Sequence, residues 1–236
     1  MVWLYGVLLT LAWGVGAFGS PYPWAYTPLL LSSSCLGIIG LWVGRRQTGL
    51  SPVLMVGFTL ISLSILAQLV PLPLSRIGDL SPHANAIVDQ RDLLPQVGAT
   101  GPRPLSIDPS RTRLGLAFFG AFAVLLIGTA RALTRERAEF LASSLVILGA
   151  ALATIGIVQR ATWNGKIYGF WELVQGGTPY GPFINKNHFA GWMLMGTLVG
   201  FGYFTGLLTH AVRGARSWRQ RVMWFSTPEE IGRAHV

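Results

Sequence analysis

Apolar residues fall in six long runs along the chain, separated by segments rich in arginine, proline and glycine. A run of roughly 20 apolar residues is long enough to cross a bilayer as a helix. Backbone polar groups in hydrocarbon must be satisfied within their own segment, so each run predicts a helix. The pattern predicts an all-α, polytopic membrane protein with about six transmembrane helices and two long extracytoplasmic loops. The runs contain no Asp, Glu, Lys or Arg, and they are Val2–Phe18, Ala25–Val43, Val53–Leu72, Leu114–Ala130, Phe140–Val158 and Phe189–Leu208.

Composition supports the same class of protein. Of 236 residues, 51% are hydrophobic and only 11% are charged, whereas soluble domains carry about 25% charged residues. This argues against a cytosolic enzyme. The single cysteine, Cys35, excludes a disulfide within the chain. The first run resembles a signal peptide in length, but no basic residue precedes it and the next run follows closely, so we interpret it as a retained helix.

The distribution of arginine predicts the orientation. Three short connections, Gly44–Ser51, Arg131–Glu139 and His210–Arg221, hold nine Arg residues. Cytoplasmic loops of membrane proteins are enriched in basic residues, so these connections and the N-terminus are predicted to be cytoplasmic. The two longer loops, Pro71–Arg113 and Gln159–His188, then face outward. Most of the net charge of +9 follows from topology, and we predict a lipid bilayer rather than nucleic acid as partner.

The two outer loops differ in character. Pro71–Arg113 holds seven of the fourteen prolines, which favours extended structure and turns. One short helix is expected there, from Pro82 to about Leu94 with Ser81 as its cap. Gln159–His188 mixes aromatic rings, cations and amides, which suits a glycan or a phosphate headgroup. The alternative is an interfacial loop whose aromatic residues anchor it at headgroup depth, namely Trp163, Tyr168 and Trp171.

One stretch of the second loop is a candidate anion site. Asn185, Lys186, Asn187 and His188 stand where the sixth helix begins. Free backbone N–H groups and the helix dipole favour an anion there, and Lys186 adds a positive charge. Asn185 and His188 would share a face if the helix starts early. In the alternative interpretation Asn187 is only the helix N-cap and His188 an interfacial histidine.

The string Gly181-Pro-Phe-Ile-Asn-Lys-Asn-His-Phe-Ala-Gly191 resembles a motif of the O-antigen ligase-like superfamily of ligases and polysaccharide polymerases. Phe18–Trp24, Gln68–Pro73 and Pro104–Pro109 are similar to the first outer turn and to the edges of the first long outer loop. The resemblance implies a metal-independent, cofactor-free, inverting glycosyltransferase of the bacterial inner membrane. Its long loops would be periplasmic.

Members of this superfamily take a glycan from undecaprenyl diphosphate. They pass it to lipid A–core, as O-antigen ligases do, or to a growing chain, as polymerases do. By this resemblance Asn185, Lys186, Asn187 and His188 are candidate substrate-binding residues, with Arg160 as a weaker candidate. The catalytic loop of the superfamily lies further downstream, so no catalytic residue is assigned here. We interpret residues 1–225 as the N-terminal part of one membrane-embedded domain and expect the chain alone to be inactive.

The C-terminal residues 226–236 are interpreted as a tail. Glu230–Val236 matches a reading frame of a sequencing adapter, the alternative being an ordinary cytoplasmic tail. Two other functions remain open at this point. One is a multispan transporter or channel subunit, against which stands the lack of charged residues within the runs. The other is a structural membrane scaffold.

Overall fold

A computed structural model describes residues 1–44, 51–81, 83, 101–173 and 176–211. This part of the chain is mostly helical, in agreement with the prediction. Its seven helices are α1 (Val2–Gly16), α2 (Pro23–Val43), α3 (Pro52–Ala67), α4 (Leu74–Leu80), α5 (Pro109–Ala132), α6 (Arg135–Ala161) and α7 (Lys186–Ala211). Two short strands, β1 (Pro71–Leu72) and β2 (Arg103–Pro104), pair antiparallel.

Among the described residues, four helices are long and apolar enough to cross a membrane: α2, α5, α6 and α7. Helices α1 and α3 are also apolar but shorter, with 15 and 16 residues. All six apolar runs therefore form helices. The predicted helix from Pro82 to about Leu94 and the tail after residue 225 lie outside the described residues. The prediction of a single domain over residues 1–225 stays a prediction.

The third run ends earlier than predicted. Helix α3 stops at Ala67 rather than continuing to Leu72. Proline lacks an N–H and disfavours helical backbone at the residue before it, so Pro71 and Pro73 cannot continue the helix. Leu69 N and Val70 N instead bond to carbonyls three residues back, at 3.0 Å and 3.3 Å. The chain then enters β1, which the apolar run alone did not reveal.

Helices α5 and α6 begin earlier than the apolar runs. Asp108 caps α5, because its Oδ1 accepts from Arg111 N at 3.2 Å, and Pro109 occupies the first position. Thr134 caps α6 and accepts from Arg137 N at 3.4 Å. The uncharged runs thus mark only the interior of these helices. The first turns of both helices carry charged residues, and both helices end a few residues after the apolar run ends.

The first long loop contains ordered structure at both edges. Pro71 pairs with Pro104 and Leu72 with Arg103, and Ser106 N donates to Gln68 O at 2.9 Å. This confirms that extended structure forms at the proline-rich edges. The seven-residue helix α4 follows β1 and was not predicted. Ser81 ends α4, since its N–H donates to Ile77 O at 2.8 Å.

The chain divides into two compact units. Unit 2 comprises Tyr26–Leu133, and unit 1 combines Met1–Ala25 with the residues from Thr134 onward. Within unit 2, glycines on α2 and α5 bring two helix backbones into direct contact: an added Cβ at Gly40 would lie 2.7 Å from the Gly128 carbonyl carbon. Small residues permit this close approach in membranes.

Unit 1 is organised around a small aromatic core. Val15 of α1, Leu152 of α6, Phe183 of the second outer loop and Phe189 of α7 are all buried and form one cluster. Three helices and one loop thus meet at a single point. This core holds the second outer loop against α6, the helix on which Arg160 lies.

Candidate functional site

The second outer loop folds into two tight turns. In the first, Ile167 and Trp171 bond to each other through both backbone groups, at 2.9 Å each. The turn residues Tyr168 and Gly169 both have positive φ, of 55° and 81°, as a type I′ hairpin turn requires. Glycine adopts this conformation freely, which fits it to the second of the two positions. Ile167 is fully buried beneath the turn.

The second turn lies in the motif. Tyr180 and Phe183 bond reciprocally, at 3.1 Å and 3.2 Å, around Gly181 and Pro182. Gly181 has φ of 54°, and a Cβ added there would lie 3.0 Å from the Phe189 ring, so glycine serves both conformation and space. The Gly-Pro-Phe part of the motif is thus structural: it places Phe183 in the core of unit 1.

A close approach of α6 supports this turn. Gly156 is buried on α6, and a Cβ added to it would lie 2.7 Å from the Tyr180 ring and 3.2 Å from the Phe189 ring. The Tyr180 and Phe189 rings contact each other with centroids 4.9 Å apart. The absence of a side chain at Gly156 therefore determines how near the loop comes to the helix.

Gln159 connects both turns to α6. Its side chain is buried, with 9% exposed. The amide Nε2 donates to Gly181 O at 2.6 Å, and the amide Oε1 accepts from Tyr168 N at 2.9 Å. A buried amide is tolerated when its donor and acceptor are both paired, as they are here. The sequence did not predict a role for Gln159, although a neutral amide directly after an apolar run was a possible signal.

A cavity of about 450 Å³ opens between this end of α6 and the second turn. Two of the predicted site residues, Arg160 from α6 and Lys186 from α7, line it together. Aromatic, amide and hydroxyl groups complete the lining, so cations and ring faces border the same space. The side chains that define it chemically are Gln159, Arg160, Trp163, Thr178, Tyr180 and Lys186.

The charges at the cavity are unbalanced. Glu172 is the only acidic residue between Gln159 and His188, and it pairs with Lys166 at 2.7 Å. The hydrogen bond and charge of Lys166 lower the pKa of the exposed Glu172 carboxyl. Within the described parts of the chain, no acidic side chain forms an ion pair with Arg160 or Lys186. The cavity therefore presents two positive charges to a ligand.

The N-terminus of α7 differs from the prediction in one respect. Lys186 N donates to Thr178 O at 2.9 Å, Asn187 N to Asn185 Oδ1 at 2.9 Å, and His188 N to Asn185 O at 3.1 Å. Asn185 is therefore the cap, and the interpretation of Asn187 as the cap is wrong. The first N–H groups, expected to be free for an anion, are satisfied within the protein.

The four motif residues are not all brought to the cavity. Asn185, Lys186, Asn187 and His188 are exposed, and of these only Lys186 is among the cavity-lining residues. The helix does start early enough for Asn185 and His188 to lie one turn apart. A role of Asn187 and His188 in substrate binding stays a prediction.

Two of the three loop aromatics that sequence analysis considered as anchors have intramolecular partners. The Phe18 ring lies 4.8 Å from the Trp171 ring and 5.6 Å from the Tyr168 ring, centroid to centroid. The Tyr168 hydroxyl donates to Gly16 O at 2.8 Å, and burial raises the pKa of this hydroxyl. These contacts attach the loop to the end of α1. The third aromatic, Trp163, remains 39% exposed at the cavity.

Comparisons with protein-family models, curated proteins and solved structures find no match to this chain. The function is therefore inferred from the residues that line the cavity. They combine two cations that have no acidic partner among the described residues, two aromatic rings and the hydroxyls of Thr178 and Tyr180. Such a set binds a phosphate group by charge and a neighbouring ring by stacking.

Proposed function

We propose that this chain belongs to a membrane glycan transferase and that its cavity binds the diphosphate of an undecaprenyl-diphosphate-linked glycan. The observation that carries the proposal is that Arg160 and Lys186, 26 positions apart in the sequence, line one cavity with Trp163 and Tyr180. The resemblance of Gly181–Gly191 to the O-antigen ligase-like motif supports the same substrate.

The chemistry of the lining suits a diphosphate followed by a sugar. A guanidinium group binds two phosphate oxygens through parallel N–H donors, and an ammonium group adds a compact charge. Charge-assisted hydrogen bonds are roughly twice as strong as neutral ones. The aromatic rings offer apolar faces for a sugar ring. The volume of about 450 Å³ lies within the range of small-molecule sites.

The proposal includes a topology. We place six membrane spans along the chain, with the N-terminus cytoplasmic and the two long loops periplasmic, in the inner membrane. The arginine-rich connections support this orientation. Helices α1 and α3 are shorter than the usual 20 residues, a mismatch that bilayer thinning accommodates at small cost. The exposed apolar side chains of α7, among them Leu194, Leu198 and Phe201, suit contact with lipid.

The acceptor in this proposal is lipid A–core or a growing glycan chain. This part rests on the resemblance alone, since the cavity chemistry concerns the donor. The same limit applies to Asn185, Asn187 and His188, which we keep as candidate contacts to the substrate outside the cavity.

The test is binding of a diphosphate to the full chain in lipid nanodiscs, with inorganic pyrophosphate and farnesyl diphosphate as probes. Arg160→Ala and Lys186→Ala each remove one charge from the cavity. Loss of one charge-assisted hydrogen bond costs about 1.5–3 kcal/mol, or roughly 10–100-fold in affinity. Calorimetric titration of each variant measures this loss directly.

Arg135→Ala is the matched control. It removes the same charge from the opposite end of the same helix, where Arg135 pairs with Glu139 at 2.9 Å. We expect it to bind both probes as the parent chain does. Equal weakening by all three substitutions would show that binding depends only on net charge, which contradicts a specific site. A parent chain that binds neither probe would refute the proposed donor site.

A further inference from the structure

Gln159 is a buried side chain on α6 that forms hydrogen bonds to both turns of the second outer loop. Its two partners, Gly181 O and Tyr168 N, belong to turns that are separate along the chain. Gly181 O only accepts a hydrogen bond and Tyr168 N only donates one, so the orientation of the amide is fixed. A side chain with one donor and one acceptor is required here, and Gln supplies both.

The bond to Gly181 joins two parts of the cavity lining. Gln159 and Arg160 line the cavity from α6, and the segment Gly177–Gly181 forms its wall on the loop side. Thr178 on that wall holds Lys186 through the bond from Lys186 N to Thr178 O, at 2.9 Å. The hydrogen bond of 2.6 Å from Gln159 to Gly181 O thus connects α6, which carries Arg160, directly to the wall that holds Lys186. We call this hydrogen bond the tie.

We infer that Gln159 is a positioning residue of the cavity: its amide holds the wall Gly177–Gly181 at the separation from α6 at which Arg160 and Lys186 act on one ligand. The inference rests on the proposed function for the nature of that ligand. The separation between this wall and α6 exists without a ligand, so it can be measured independently of binding.

Two substitutions separate positioning from simple loss of packing. Gln159→Leu keeps an apolar side chain of similar size but leaves Gly181 O and Tyr168 N without their partner. Gln159→Glu keeps the acceptor for Tyr168 N and donates to Gly181 O only while its carboxyl is protonated. Burial next to the Gly181 carbonyl favours the protonated form of that carboxyl, whereas Arg160 and Lys186 on the same cavity favour the ionised form, so the donor exists only at low pH. The Gln159→Glu variant is therefore expected to regain the tie at low pH.

The charged and titratable groups around Gln159 line the cavity on one side and a neighbouring groove on the other. They are Arg160, Tyr180, Lys186, Lys166 and Tyr168. A change of wall position between pH 8 and pH 5 in Gln159→Glu, absent from the parent, reports the introduced carboxyl.

The first measurement is made without ligand. Spin labels on Thr162→Cys, at the end of α6, and on Thr178→Cys, on the wall, report their separation in a Cys35→Ser background in nanodiscs. We expect one narrow distance distribution in the parent and a broad one in Gln159→Leu. Gln159→Glu should be broad at pH 8 and narrow at pH 5. A narrow distribution in Gln159→Leu, or a Gln159→Glu distribution that does not respond to pH, overturns the inference.

The second measurement is pyrophosphate affinity at pH 8. Loss of the tie should weaken binding by about tenfold in Gln159→Leu, the scale of one net hydrogen bond. Thr162→Ala is the control, since the Thr162 hydroxyl bonds only within its own helix, to Val158 O at 2.9 Å. Parent-like affinity in Gln159→Leu contradicts the positioning role. If the parent binds no pyrophosphate, the proposed function fails, and the label distances alone decide the role of Gln159.

Discussion

The contact between Gly156 and the second turn gives a sharp test of how the cavity wall is supported. In Gly156→Ala, the new Cβ would lie 2.7 Å from the Tyr180 ring and 3.2 Å from the Phe189 ring. Such overpacking costs about 1–3 kcal/mol. Alanine also favours the helix over glycine by about 1 kcal/mol. The rings must move to make room, and the two effects together predict a net destabilisation of up to about 2 kcal/mol.

Gly149→Ala provides the matched control. Gly149 is buried two turns earlier on α6, but the nearest atom to an added Cβ is in the Trp192 ring at 3.9 Å, an ordinary contact. This variant gains helix propensity without overpacking and should be neutral or more stable by up to about 1 kcal/mol. The assay is thermal unfolding of the full chain followed by circular dichroism. A change of 1 kcal/mol shifts Tm by roughly 2–4 °C in a chain of this size. Melting temperatures that shift together in both variants would refute the reasoning.

Three further predictions follow from contacts elsewhere. Tyr168→Phe removes the hydrogen bond from the hydroxyl to the end of α1 and should lower the free energy of unfolding by about 1 kcal/mol. Burial raises the pKa of the Tyr168 hydroxyl in the parent, so the stability that its neutral form contributes is lost as the pH rises above 10; ultraviolet titration should show this late phenol ionisation in the parent and not in the variant. Gly128→Ala places a Cβ against a helix backbone and should lower Tm by several degrees, whereas Gly57→Ala, which meets open space, should not. The hydrogen bond and charge of Lys166 lower the pKa of Glu172, so this ion pair stabilises the loop above pH 4.5 and is lost at more acid pH. Protection of the loop amides from hydrogen exchange should therefore weaken at acid pH in the parent and not in Glu172→Gln.

The helices could be predicted from sequence because long uncharged apolar runs are typical of helices able to span a membrane. Their ends could not, since they depend on local chemistry that an uncharged run ignores. Pro71 ended α3 early, whereas Asp108 and Thr134 started α5 and α6 before the apolar residues began. The short helix α4 has only seven residues and no long apolar run, so no periodic pattern marked it.

Of the candidate substrate-binding residues, the structure brings two to one cavity, and their role in binding stays a prediction. Lys186 and the weaker candidate Arg160 line one cavity. Their separation of 26 positions in the sequence did not predict that they would be close in space. The expectation of free N–H groups at α7 failed because Asn185 and Thr178 satisfy them. Gln159 was missed because a single amide at the end of an apolar run is ordinary until the fold shows both of its bonds.

The bond from Tyr168 to Gly16 spans 152 positions of the sequence, and this has a consequence for biosynthesis. Unit 2 is contiguous and can complete its contacts while the ribosome is still translating. The first helix belongs to unit 1, whose other helices emerge only afterwards. At 5–20 residues per second, roughly 8–30 s separate the synthesis of Gly16 from that of Tyr168. A nascent chain that ends at Leu133 therefore contains all of unit 2 but lacks the loop and the helices that complete unit 1.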